Sequence, residues 1–252
     1  MIAASVGFQC PDDVREGSRT VRQPRTALGG RITADTARVS TVLVVVNVLV
    51  FLLGLGGLLP RATLDYGNLA LLPDGSGGEI GVAAGQYYRL LTSAFLHAGT
   101  FHLLSNMFAL VSLGPALEQA LGRARFLTLY VVAALGGSTL SYLVSDAGTF
   151  GVGASGAIFG LFGAYYVVVR RVGGDTGSIV TLLVINLVVT FALPIIDWRA
   201  HVGGLLTGAA VAAAYAYAPK GTQRTTVQIA GVLLLVGLLL LALVLRTAVL
   251  TR

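Results

Sequence analysis

The chain has 252 residues, 55% hydrophobic and only 11% charged, with a mean hydropathy of +0.83. A water-facing surface needs about 25% charged residues, so a soluble domain is excluded. The net charge of +6 fits basic residues that mark cytoplasmic loops rather than a nucleic-acid surface.

Residues 1–39 are polar and basic with few aromatics and no apolar core of a cleavable signal peptide. They predict a flexible cytoplasmic tail. Its Cys10 is the single cysteine, which leaves no internal disulfide and no multi-cysteine zinc site. Seven apolar runs of spanning length follow, since a span needs roughly 20 residues. They are 40–59, 101–121, 126–145, 151–169, 178–196, 200–218 and 227–245. The second is the least apolar and holds His102, Ser105, Asn106 and Glu118. The loop 60–100 is long and contains a turn signal at Asp74-Gly75-Ser76-Gly77-Gly78. Its Tyr87-Tyr88-Arg89-Leu90-Leu91 stretch is amphipathic enough to lie at the membrane interface. A loop of that length in a compact bundle is usually functional.

The loop charges orient the bundle. Arg15, Arg19, Arg22, Arg25, Arg31 and Arg38 precede the first run. Arg123 and Arg125 follow the second, Arg170 and Arg171 the fourth, and Lys220 and Arg224 the sixth. These alternate loops hold 12 of the 17 Lys and Arg residues. The positive-inside rule then places the N-terminus in the cytoplasm and the C-terminus outside, in the plasma membrane.

Runs two, four and six therefore all descend from the outer face. His102 and Asn106 lie in the first turns of run two, Ser155 about one turn into run four, and His201 at the start of run six. Parity puts all four at one depth in the outer half of the bilayer. An ionisable group in a membrane marks a functional site by default, and a Ser–His pair is the minimum equipment for nucleophilic catalysis. Gly153, Gly156, Gly160 and Gly163, with Gly203, Gly204 and Gly208, would let runs four and six approach closely. Free N–H groups in the first turn at Ser155, with His102 and Asn106, could donate to an oxyanion.

Each signal has a plainer meaning. A Gly-x-Ser-Gly in an apolar helix more often serves packing, a lone histidine at a span end often snorkels, and Asn106 could simply bond a neighbouring helix. His97 and His102, five apart, do not share a helix face and have no acidic partner, so they predict no metal site. Glu118 reads as a cap or a partner of Arg123 or Arg125, and Asp197 as a loop residue rather than a third catalytic group.

The combination resembles the rhomboid family of intramembrane serine proteases, over roughly residues 39–219. Gly153-Ala154-Ser155-Gly156 matches the family's nucleophile motif, and Ala200-His201-Val202-Gly203-Gly204 with Gly208 its general-base helix. The stretch His97-Ala98-Gly99-Thr100-Phe101-His102-Leu103-Leu104-Ser105-Asn106 matches its oxyanion signature. Gly114-Pro115-Ala116-Leu117-Glu118 with Gly122 is similar to its structural turn at the inner end of run two. Tyr88-Arg89 stands where the family usually has Trp-Arg. Phe159 stands where some members have a Tyr packed on the catalytic histidine. Phe8-Gln9-Cys10-Pro11-Asp12-Asp13 is similar to the end of a zinc knuckle, but the second cysteine is missing.

The resemblance implies an all-α polytopic membrane protein: a rhomboid-like bundle of six transmembrane helices plus a seventh at the C-terminus. The chain then divides into the tail 1–39, a protease core 40–219, and a linker with the seventh helix at 220–252. A Ser155–His201 dyad without an acidic third member is implied, supported by His102, Asn106, Gly153 and Gly156, with Phe159 packed on the histidine. The active site would open to the extracytoplasmic side and cleave single-span membrane proteins in the bilayer. No cofactor, metal or nucleic acid is implied. The alternatives are a catalytically inactive rhomboid-like protein that binds membrane clients, which would lack a dyad residue, and a small transporter, which would show internal repeats.

Overall fold

The computed structural model describes residues 2–3, 7–20, 25–32 and 37–252. Arg22 of the basic tail lies outside the described residues. The described helices are α1 (Pro11–Thr20), α2 (Arg38–Leu55), α3 (Ala62–Tyr66), α4 (Arg89–Thr92), α5 (Thr100–Leu121), α6 (Arg123–Val144), α7 (Ser155–Arg171), α8 (Gly177–Ala192), α9 (Trp198–Ala216) and α10 (Arg224–Leu250). Two small antiparallel hairpins accompany them: β1 (Ile2–Ala3) with β2 (Phe8–Gln9), and β3 (Leu72–Pro73) with β4 (Glu79–Ile80).

Each of the seven apolar runs contains one long helix. Four of these, α2, α5, α6 and α10, are long and apolar enough to cross a membrane. Of the other three, α7 and α8 have 17 and 16 residues, and α9 opens on Trp198-Arg199-Ala200-His201. The seven long helices thus follow the seven apolar runs but differ in length and hydropathy. All three have an end that walls a cavity, together with the start of α5, and there polar groups and non-helical backbone have something other than lipid to face.

Close packing of α7, α9 and α6 forms the centre of the fold, and it is made by glycine. A Cβ on Gly204 would overlap the carbonyl of Gly156, and one on Gly208 would overlap that of Gly160. Gly136 and Gly137 of α6 meet Thr207 and Ala200 of α9 in the same way. Lipid is as apolar as leucine, so helices gain little from hiding apolar area; close van der Waals contact between backbones does the holding instead.

The remaining helices attach by specific polar contacts. At the start of α2 no side chain of its own caps the helix. Glu118 of α5 does so, accepting from the Val39 and Ser40 amides and the Ser40 hydroxyl, each at 2.9 Å. Arg123 lies 3.9 Å from the same carboxylate. The Gly114–Glu118 stretch, expected as a turn, is helical: α5 continues through Pro115 and turns at Gly122, whose φ is 80°.

Part of the tail expected to be flexible is packed. Leu28 is buried, and the carbonyls of Ala27 and Leu28 accept from Arg224 at 2.7 Å and Gln228 at 3.1 Å. Gln228, fully buried in α10, also donates to the Tyr215 carbonyl and accepts twice from Arg125. Every polar atom of that amide is satisfied, which is the condition for burying it. Low apolar content made this segment look solvated; a few backbone carbonyls suffice to dock it.

The long loop is held by Arg89, which is 2% exposed. It donates to the Leu64 and Gly67 carbonyls and to Gln86. The turn at 74–78 closes on Asp74, which accepts from Ser76 and Gly78. These bonds, the Ser76 amide first, hold its carboxyl below the usual carboxylate range.

The glycine contacts make a direct prediction. Gly204→Ala will cost about 1–3 kcal/mol through overpacking. Gly237→Ala on α10, with nothing within 4 Å of the added carbon, will not destabilise. Thermal unfolding of both variants in detergent micelles checks this, and equal midpoints would refute the close-packing account.

Candidate active site

Residues 151–154 begin the fourth apolar run but are not helical. Gly151 pairs with Asn68 of the long loop in both directions, at 2.8 and 2.9 Å, and the Gly153 amide donates to the Ser93 carbonyl at 2.9 Å. Gly153 has φ 131°, a conformation that favours glycine. These pins delay the helix, so α7 starts at Ser155 itself rather than a turn earlier. The Ser155 N–H has no acceptor among the described residues and stands at a helix N-terminus, where partial positive charge collects.

Gly153 also shows how near His102 comes. A Cβ there would lie 2.7 Å from the Cε1 and Nε2 atoms of the His102 ring and 3.6 Å from Ser155 Oγ. The imidazole of His102 and the hydroxyl of Ser155 thus flank one glycine. His102 in turn meets His97 edge to face at 5.1 Å. One turn further along α5, Asn106 is buried, and its Nδ2 has no hydrogen-bond partner. An unpaired buried donor is expensive, and this one borders the cavity that holds the serine.

His201 enters from α9. It is buried, its ring stacks on Phe159 at 4.0 Å and 16°, and its Nδ1 lies 2.8 Å from Thr190 Oγ1 of α8. Gly156 allows this approach: a Cβ on it would sit 3.2 Å from the Ala200 carbonyl oxygen. Ser155, His201, His102, Asn106, Gly153 and Phe159 all line one cavity of about 830 Å³. Gly156 lies beneath it as a packing residue. The Ser155 hydroxyl makes no hydrogen bond among the described residues, to His201 or otherwise. Such contacts are often loose in unliganded sites and tighten on a reacting complex.

The Rhomboid domain family model matches residues 84–218. The chain belongs to the rhomboid family. Among its relatives, the rhomboid-named YdcA of Bacillus subtilis (strain 168) is 40% identical over 138 residues, which is 53% of this chain and 69% of YdcA. Rhomboid protease GluP of the same organism is 40% identical over 141 residues, 53% of this chain and 27% of GluP. RHOMBOID-like protein 5 of Arabidopsis thaliana is 39% identical over 135 residues, 50% of this chain and 43% of that protein. The match thus spans less than half of the last two. With its apolar helices, this rhomboid is a multi-pass membrane protein.

Two site residues call for separate comment. Thr190 was not singled out by the sequence, although it and Asn186 form the one polar i, i+4 pair inside α8, a spacing that puts both on one helix face. Asp197, four residues before His201, does not touch the imidazole. It caps α9, accepting from the Arg199 and Ala200 amides at 3.1 and 3.3 Å, and takes the Ser141 hydroxyl proton bond at 2.5 Å. Its effect on His201 is to fix where the helix begins.

The cap predicts a stability phenotype. Asp197→Ala will cost about 1 kcal/mol, while Asp197→Asn, an equally good cap residue, will cost little. Thermal midpoints in micelles measure this; an asparagine variant as damaged as the alanine one would contradict the capping role.

Proposed function

We propose that this rhomboid is an intramembrane serine endopeptidase working through a Ser155–His201 dyad. The observation that carries the reading is the shared cavity. It joins a serine at a helix N-terminus, a buried histidine, and two further polar groups, one an unpaired donor.

In this reading Ser155 Oγ attacks the scissile carbonyl while His201 accepts its proton. The tetrahedral oxyanion receives hydrogen bonds from the Ser155 N–H, the Asn106 amide and His102. His201 then protonates the leaving amine, and a water entering the cavity hydrolyses the acyl-enzyme by the same steps. Phe159 holds the imidazole plane by stacking, and Gly153 and Gly156 allow the groups to meet. No cofactor or metal is required, and no nucleic acid is a partner.

The substrates are single-span membrane proteins presented from the bilayer. The protein sits in the plasma membrane with its N-terminus in the cytoplasm, by the charge of its loops, and the site opens to the extracytoplasmic side. The core is 40–219, and 220–252 adds a linker and the seventh helix.

Cleavage of a single-span substrate in liposomes tests the dyad. Wild type will cleave, and Ser155→Ala and His201→Ala will each lose at least about 10³-fold in rate. Activity surviving in Ser155→Ala would end the assignment. A carbonyl inside an intact helix is hydrogen-bonded and shielded, so the substrate must unwind locally. Substrates with Gly or Pro near the scissile bond will therefore be cut faster than a poly-Leu span, and equal rates would refute that requirement.

A further inference from the structure

We propose that Thr190 is the positioning residue that holds His201 in the tautomer a general base requires. This rests on the reading of His201 as the base and adds what orients it.

The reasoning is a proton count. A threonine hydroxyl has one proton to donate. Thr190 Oγ1 lies 2.7 Å from the carbonyl oxygen of Asn186, which can only accept. The hydroxyl proton is therefore directed to that carbonyl. The 2.8 Å contact between Thr190 Oγ1 and His201 Nδ1 must then be a donation from the ring. Nδ1 carries the imidazole proton, and Nε2 is left bare and able to take the proton of Ser155.

In a triad a carboxylate performs this task. Here the carboxylate adjacent in sequence, Asp197, is occupied by the α9 cap and by Ser141. A neutral hydroxyl relayed to a backbone carbonyl suits a site at membrane depth, because it places no additional charge there. When the ring becomes an imidazolium, the Nδ1–H···Oγ1–H···O=C chain polarises in the same direction and strengthens. The burial pattern of α8 agrees: among its residues only Ile179 and Thr190 are buried. Thr190 turns inward at the point where α8 meets the histidine.

The experiment uses the full chain in micelles, with ¹⁵N-labelled histidine and Thr190→Val and Thr190→Ser variants. Loss of one signal set in His201→Ala assigns the ring. Wild type and Thr190→Ser will show a protonated Nδ1 and a bare Nε2, whereas Thr190→Val will show mixed tautomers. In substrate cleavage, Thr190→Val will lower kcat about tenfold with KM unchanged, and Thr190→Ser will restore it. A wild-type ring protonated at Nε2, or a valine variant with unchanged tautomer and kcat, overturns the proposal. A valine variant with a lowered thermal midpoint and no serine rescue also overturns it, since that is the mark of a packing role. If wild type shows the expected tautomer but neither cleaves nor reacts at Ser155 with a fluorophosphonate, the protease reading falls and the tautomer assignment stands.

Discussion

The structure depends on backbone-to-backbone contact among α6, α7 and α9. Leucine side chains could not bring Ser155 and His201 to one cavity, because they would hold the helix axes too far apart. Glycine removes that spacing at Gly156, Gly160, Gly204 and Gly208. The same contact that stabilises the bundle in lipid therefore sets how near Ser155 and His201 come. The lateral position of His201 and the fold's stability are one quantity, and substitutions at these glycines cannot separate them.

Around this centre, several polar side chains tie one element to another. Glu118 caps α2, Asp197 caps α9, Arg89 ties the long loop, and Gln228 joins α10 to α6, α9 and the tail. An unpaired polar group in hydrocarbon is costly, so the exceptions are informative. Asn106 Nδ2 and the Ser155 N–H are donors without acceptors, and both belong to the site. A preorganised site has donors waiting for charge that is not yet there. In the proposed mechanism these two donors wait for that charge; Thr139 Oγ1 is also unpaired, but Thr139 does not line the cavity.

The seven helices were legible in the sequence because long apolar runs are cumulative signals, and His102, Asn106, Ser155 and His201, grouped there by span parity, do line one cavity. The start of α7 was less so. The run 151–169 is apolar from its first residue, and what unwinds its first four residues is the pairing of Gly151 with Asn68, about eighty positions away. Phe159 was placed on His201 by the resemblance to the rhomboid family, and it does stack there. Thr190 carried no such mark, since a threonine in an apolar helix usually bonds back to its own i−4 carbonyl and means nothing more. Thr190 makes that bond, and its significance appears only once His201 is seen on its other lone pair. The docked tail segment failed to show for the opposite reason. Its contacts use backbone carbonyls, which every sequence supplies.

The arrangement of α7, α8 and α9 also bears on how hydrolysis can occur at membrane depth. These helices are the short or polar ones, and their cavity-side ends give way to extended or looped backbone at 151–154, 193–196 and Asp197. Non-helical backbone at that depth is tolerated only against protein or water. The cavity of about 830 Å³ is lined by all three segments. The segments that terminate the helices therefore also wall the cavity, and the helix N-terminus facing it is the one that carries Ser155. The late start of α7 achieves two things together: it leaves the serine amide without an acceptor among the described residues and seats the hydroxyl beside Gly153 and His102. A helix begun a turn earlier would pair that amide and lose both.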